Sequence, residues 1–407
     1  MPYGFTSVAL VAFMRMEGLT IEQVGTAVAA LFLPWALKWA WAPVVDLVRL
    51  NRFGGRKAWI FLCTTMMTVT LWIAAGIDFV SSYELLLVAV VVNNFFGATQ
   101  DVAIDSLAVS SLRPDERGRG NGFMFAGQSL GIALGGGGAI FVHGVAGMSG
   151  AMLYASVLLL ANLAFVVLFV KDPQVSEGDG PLRLRALLAT LRAFLGLVWV
   201  SFMRSGRGPR VAVLFSLLPA GAIALGYAIL GTLKVDYGLD SNQIAALSVY
   251  VTVAMAVGCL AGGFAGDRLG LKLALGLAMV ATAVPTLLLA AQIAALGLTG
   301  VSRATFYGAV IAHGFLLGAT MGVRAGVLMG VTNPLVAATQ FTAFMAMTNL
   351  AVSMANFWQG RVAESYGYAA VLLIDAAIVL LPLLVLPFLT SREETRPGTT
   401  SLALQTD

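Results

Sequence analysis

Apolar runs of about twenty residues recur along the whole chain, separated by short clusters of charged residues or of glycine and proline. A run of that length crosses the ~30 Å hydrocarbon core of a bilayer as a helix. Barrel strands alternate polar and apolar positions over about ten residues, and these runs do not. Lipid offers the backbone no hydrogen-bond partner, so an unbroken apolar run must satisfy its own amides, as a helix does. Dividing the chain at its clusters predicts helices over 1–15, 21–45, 58–77, 84–111, 122–143 and 148–170. A second set follows over 211–236, 242–265, 273–296, 303–330, 335–360 and 368–389.

The two sets repeat one another at a shift of about 220 positions. GLTIEQ (18–23) aligns with GLDSNQ (238–243), Asp46 with Asp267, FGATQDV (96–102) with LGATMGV (317–323), and Pro114 with Pro334. Internal repetition of this kind is the mark of a fold built from duplicated units. The expected fold is an all-α membrane protein of twelve transmembrane helices in two six-helix bundles. Residues 1–170 form the first bundle and 211–390 the second, joined by a cytoplasmic linker over 171–210. Residues 391–407 are expected to be a disordered cytoplasmic tail. Helix seven begins near Val211, so its first-half counterpart would begin before Met1, and the first helix reads as truncated.

Composition agrees: 59% of the 407 residues are hydrophobic and 11% charged, with a mean hydropathy of +0.89, far from the quarter charged of soluble domains. The formal net charge of +4 is not a nucleic-acid footprint once its positions are assigned. Eighteen of the 24 Lys and Arg fall in loops on one side of the alternating helices. Four (Arg15, Lys234, Arg303, Arg361) fall on the other, and Lys38 and Arg324 lie within helices. By the positive-inside rule the richer side is cytoplasmic and carries both termini. Cys63 and Cys259 sit in different helices without metal-ligand spacing and read as packing residues.

Chemistry concentrates where charge enters the apolar runs. The stretch GATQDVAID (97–105) carries two carboxylates one helical turn apart, each costing about 2.5 to 3.5 kcal/mol at mid-membrane if ionised and lipid-facing. They must face protein or water. Asn94, Asp101 and Asp105 recur at seven and four positions, one stripe of one helix; Gln100 adjoins it. Lys38, Asp105 and Arg324 each lie eight residues from Asp46, Arg113 and Thr332 at the cytoplasmic ends of their helices, a common depth of roughly 12 Å. His313 lies eleven residues before Arg324, on the same face. Asn349 and Asn356 continue a seven-residue polar stripe from Thr342 on helix eleven. These groups read either as a solute and proton path or as a fixed ion-pair network holding helices together. Asp375 has no partner evident from spacing.

The stretch GGFAGDRLGLK (262–272) closes helix eight with Gly263, Asp267, Arg268, Gly270 and Lys272 in a tight turn; the first-half equivalent, DLVRLNRFGGRK, keeps Asp46, Gly55, Arg56 and Lys57 with several residues inserted. This resembles the loop signature of the major facilitator superfamily. PWALKWAWAPVVD (34–46), ATQDVAIDSL (98–107) and RPDERGRGNG (113–122) resemble one branch of it, comprising AmpG-type muropeptide permeases, acetyl-coenzyme A transporters and RhtX/FptX-type siderophore importers. The resemblance places Lys38, Asp101 and Asp105 at that branch's membrane-charge positions, in agreement with the depth argument. The chain departs from the branch in its missing first-helix residues and in lacking the two extra helices of some AmpG-type permeases.

Gly127, Gly131 and Gly135 on helix five permit close helix contact, and 182–204 reads as a helix lying along the cytoplasmic interface. No HExxH, CxxC or GxxxxGK[ST] pattern occurs, which argues against an enzyme, a metal or cofactor site and an ATP-driven pump. The expected function is a proton-coupled secondary transporter, monomeric in the bilayer of the inner membrane, importing a medium-sized polar solute such as a muropeptide or siderophore. An efflux transporter on the same fold is the alternative.

Overall fold

The computed structural model of the chain describes residues 2–47, 55–111, 127–170, 188–189, 192–193, 196, 199–200, 202–203, 207–218, 221–331 and 337–389. The expected linker over 171–210 falls largely outside these residues, as do Pro114, Thr332, Pro334 and the 391–407 tail. The described residues contain helices and turns and no strand.

Two helices are too long to be single spans. Gly127–Phe169 has 43 residues and Gln340–Phe388 has 49; straight, they would measure roughly 65 and 74 Å, over twice the hydrocarbon thickness. Each breaks at a glycine in the left-handed region, Gly147 (φ 67°) and Gly367 (φ 81°), where a side chain would be strained. Counting each as two, the described residues hold twelve spans. α1 covers 2–16, α2 21–47, α3 Arg56–Ala75, α4 Tyr83–Ser111, α5 127–146 and α6 148–169. α7 covers Arg207–Asp236, α8 Ser241–Leu269, α9 Leu271–Leu296, α10 Arg303–Gly330, α11 337–366 and α12 368–388.

The repeat is visible in the backbone. Gly18 and Gly238 (φ 94° and 88°) turn the chain between α1 and α2 and between α7 and α8, and Gly147 and Gly367 do so before α6 and α12; both pairs are 220 positions apart. Thr20 with Gln23, and Asp240 with Gln243, form matching capping boxes at the starts of α2 and α8, satisfying amides that a helix start leaves bare. These turns define a glycine-turn end of the bundle. The opposite, basic end carries Lys57, Arg268 and Lys272. There Gly270 (φ 82°) turns α8 into α9, Gly55 (φ 67°) precedes α3, and Lys57 Nζ donates to the Val167 carbonyl at 2.6 Å.

The halves are fastened at the glycine-turn end. Arg15 grips Asp236 through Nε and Nη2 at 2.6 and 2.7 Å, and the Tyr368 hydroxyl donates to the same carboxylate at 2.7 Å. The Ile21 amide donates to Glu364 at 2.7 Å and Arg361 Nε to Glu22 at 2.8 Å. Deeper, Ser353 Oγ donates to the Ala29 carbonyl at 2.6 Å. α2 and α11 touch backbone to backbone there, since a Cβ on Gly25 would lie 2.6 Å from the Asn356 carbonyl.

Glycine sets the spacing elsewhere too. A Cβ on Gly4 of α1 would lie 2.6 Å from Ile132 Cα of α5, and one on Gly136 would lie 2.8 Å from Val8; both helices are locally widened to π geometry at this contact, over Phe5–Ala9 and Ala133–Gly138. α8 and α10 meet similarly, with Gly258 on Phe315, Gly318 on Met255 and Gly322 on Cys259. Between membrane helices small residues permit this approach.

Several expectations about helix limits change: α11 runs to 366 rather than 360, and α8 to Leu269 rather than 265, so that Gly263, Asp267 and Arg268 lie within the helix and the turn itself is Gly270. α5 continues to 146 rather than 143. α7 starts at Arg207 rather than 211 and is interrupted at Gly226 and Tyr227, where the Ala228 amide is taken up by Asn356 Oδ1 at 3.3 Å. A glycine followed by a bulky aromatic inside an apolar run carries no pattern that announces such a break.

The Gly318 contact generates a prediction. Gly318→Ala forces α8 and α10 apart and lowers the thermal midpoint of the detergent-solubilised protein, a destabilisation of about 1 to 3 kcal/mol. Gly308→Ala on the same helix, where a Cβ would meet nothing within 4 Å, leaves the midpoint unchanged.

Candidate functional site

α2 loses its α-helical geometry at the level of its lysine. Pro34 removes one amide from the ladder, the α-helix closes at Leu37, and Lys38–Ala40 form a 3-10 turn before Ala42–Leu47 resumes. The Lys38 side chain leaves this turn toward α4 and donates from Nζ to Asp101 Oδ2 at 2.6 Å. Lys38 is 14% exposed and Asp101 37%; Asp105, one turn along, is exposed.

The Lys38–Asp101 bond lies near the junction of the halves, through Trp35. Asn94, two turns from Asp101 on the same stripe, accepts from Trp35 Nε1 at 3.2 Å. The Trp35 carbonyl in turn faces Asn349 Nδ2 of α11 at 3.5 Å, and Lys38 Nζ lies 5.6 Å from the Trp35 ring. Trp35 thus joins Lys38, Asn94 and the opposite half. Toward the glycine-turn end, Tyr3 stands edge-on to Trp35 and donates to the Tyr227 hydroxyl at 2.8 Å across the halves. Aromatic rings therefore roof the charged group, and α7 contributes to them at its break.

The other expected path residues lie elsewhere. Gln100 turns to α3 and donates to Thr64 at 2.6 Å, the opposite side of α4 from the junction. Arg324 is buried between α7 and α11, with its guanidinium 4.8 Å from the Phe215 ring and bonded to Thr348 at 3.2 Å. His313 does not share that setting; it faces α7 and α9, with Nε2 3.2 Å from the Ala222 carbonyl and Nδ1 3.4 Å from Thr286. Asn356 caps the break in α7. Of the loop residues, Asp46 lies outside the described side chains and Arg56 is buried. Asp375 does have a partner, Gln359 Nε2 at 2.7 Å. No group of three or more His, Cys, Asp or Glu among the described residues is placed to hold a metal.

Sequence spacing did not single out Trp35, Tyr3 or the Arg15–Asp236 clasp. Trp35 was in view within PWALKWAW, and Arg15 was among the four cations on the sparser side. Their partners in the opposite half are about 220 or more residues distant, beyond any local periodicity.

Two six-helix halves of one orientation, meeting around polar side chains at mid-bundle, are the architecture of parallel-repeat transporters. The sequence model of the Major Facilitator Superfamily matches residues 1–224, more than half of the chain, and the chain belongs to that superfamily. It is 22% identical over 268 residues to "Putative transporter AmpG 4" of Rickettsia felis, covering 63% of this chain and 62% of that protein. It is 25% identical over 197 residues to the anhydromuropeptide permease of Escherichia coli K12, covering 48% and 40%. The chain thus spans about two to three fifths of the length of these relatives. Among solved structures it is similar to the inward-open xylose transporter XylE of E. coli, with a TM-score of 0.71 and 12% identity over 97% of this chain and 94% of that one. The nucleoside transporter NupG gives 0.66 and 16% over 95% of each chain. At these identities the structures establish the fold.

The Lys38–Asp101 geometry predicts a double-mutant result. Lys38→Met leaves Asp101 without its cation and destabilises the solubilised protein by about 1 to 2 kcal/mol, a charge-assisted bond discounted for partial exposure. Adding Asp101→Asn recovers most of the loss in thermal midpoint. Equal midpoints for the single and double variants would show that the pair carries no energy.

Proposed function

We propose that the protein is a proton-coupled importer of a medium-sized polar, partly anionic solute of the anhydromuropeptide class. In this reading it lies in the inner membrane with the basic end and both termini in the cytoplasm. The observation that carries the proposal is the Lys38–Asp101 bond at 2.6 Å with Asp105 exposed one turn beyond. Similarity to muropeptide permeases favours the solute class; the excess of Lys and Arg in loops at the basic end favours the orientation.

The proposed mechanism uses the pair as an exchangeable contact. Lys38 has one carboxylate in reach and a second close by, so an anionic group of the solute can replace Asp101 as its partner. The released carboxylate is then free to take a proton. With the acid neutralised and the cation occupied by solute, the charged layer no longer holds α2 and α4 in one arrangement, and the clasp at the glycine-turn end can open. Asn94, Trp35 and Asn349 position the solute between the halves. Alternating access of this kind rocks one half against the other about a central site.

Accumulation of radiolabelled anhydromuropeptide in right-side-out vesicles tests the reading. With the membrane potential clamped at zero and one proton per solute, an inside-alkaline gradient of one pH unit supports about tenfold accumulation, since one unit is worth about 1.4 kcal/mol. A protonophore and Asp105→Asn each abolish it while leaving solute exchange intact. Accumulation indifferent to both would overturn proton coupling, and extrusion driven by the inside-alkaline gradient, protons entering as solute leaves, would identify the exporter.

A further inference from the structure

The second half holds a carboxyl group that the proposed mechanism does not use. Asp375 lies eight residues into α12 from Gly367, roughly 12 Å below the glycine-turn end, and is 1% exposed. Its bond is to Gln359 Nε2 of α11 at 2.7 Å, and no Lys or Arg among the described residues forms an ion pair with it. An ionised carboxylate sealed from water without a cation is strongly unfavourable.

Its surroundings include the interrupted part of α7. The neighbouring Ala376 packs with Ala222 of α7 and Ala283 of α9, in the short segment Gly221–Leu225 that precedes the break in α7. The Ala222 carbonyl accepts from His313; a carbonyl only accepts, so Nε2 carries the proton. A small cavity lies between His313, Thr286 and Leu372, and Leu372 is one turn from Asp375 on α12. The charged groups on the packed helices are engaged elsewhere: Lys234 with Ser248, Arg324 with Thr348 and Phe215, Arg361 with Glu22, Glu364 with the Ile21 amide. His313 is the titratable side chain directed at the broken segment. Interrupted helices are where transporters of this architecture place coupling ions.

We propose that Asp375 is a proton-binding site in the second half, reached through the cavity beneath His313 and separate from the Lys38–Asp101–Asp105 group. The bound proton keeps α12 and α11 packed on the Gly221–Leu225 segment. Its release leaves a charge among alanines, a state the second half accommodates only by moving α7 or admitting water. The inference extends the proton-coupled reading to a second site and has a readout that needs no solute.

Infrared difference spectra of the purified full chain in liposomes, recorded between neutral and alkaline pH, provide that readout. The wild type shows a carboxylic-acid C=O band that shifts in heavy water, is lost in Asp375→Asn and moves in frequency in Asp375→Glu. His313→Gln keeps the band and slows its loss on alkalinisation. A spectrum in which Asp375→Asn retains the whole band overturns the proposal, and so does a band unmoved in Asp375→Glu; the glutamate variant decides the matter if the asparagine variant does not fold. In vesicles, Asp375→Asn abolishes gradient-driven accumulation of anhydromuropeptide and keeps exchange. Wild-type accumulation by Asp375→Asn, or accumulation that follows a sodium gradient instead of pH, overturns the proposal. Failure of the wild type to carry the solute bears on the proposed function and leaves the spectroscopic test standing.

Discussion

Charge inside a hydrocarbon layer must meet opposite charge, protein dipoles or water, and in this chain the meeting of Lys38 with Asp101 organises what surrounds it. The bond requires α2 to loosen beside Pro34 so that a lysine eight residues from the helix end reaches across to α4. It requires the α4 stripe of Asn94 and Asp101 to face α2, whose Trp35 meets the other half. Gln100, a neighbour in sequence, therefore points the opposite way and bonds to α3. Orientation of one helix about its axis follows from where two carboxylates can be tolerated.

The closed glycine-turn end and the charged group act on the same helices. α2 carries Glu22 and the Ile21 amide at one end and Trp35 and Lys38 toward the other, and α11 carries Arg361 and Glu364 at one end and Asn349 toward the other. Lys38 and Glu22 thus stand on one helix more than four turns apart, with Pro34 between them. The exposed Arg361–Glu22 bond at 57% and 42% exposure contributes little by itself. The bidentate Arg15–Asp236 bond at 23% and 20% is the stronger clasp, because its charges are more shielded and its geometry fixes both oxygens.

The helices, their approximate limits and the repeat were legible because lipid imposes a long apolar run on every span and duplication leaves glycines and caps in register. GLTIEQ and GLDSNQ align before any fold is known, and the structure adds that they form matching glycine turns and capping boxes. Spacing set Lys38 level with Asp105, whereas the structure bonds it to Asp101, one turn away; height along a helix does not choose between two carboxylates on one stripe. What spacing cannot give is azimuth across different helices. His313 and Arg324 lie on one face by count, yet crossing neighbours separate them, one set against α7 and α9 and the other against α7 and α11. The break in α7 was illegible because its capping partner, Asn356, is 128 residues away from Ala228.

The repeat also supplies a comparison within one molecule. In the register that aligns Asp46 with Asp267, Asp101 corresponds to Gly322 and Lys38 to Cys259. In the second half Gly322 lies so close to the Cys259 backbone that a Cβ would come within 2.7 Å of its carbonyl. In the first half the same two positions are held apart by a lysine and an aspartate. If the pair served to bind two helices together, the glycine solution in the other half achieves that without placing charge in the membrane. Retaining ions where small residues suffice makes sense when the contact has to come undone, because an ion pair can be replaced by solute and proton and a glycine seam cannot. The asymmetry sets an ionic contact between α2 and α4 in the first half against a close glycine contact between α8 and α10 in the second.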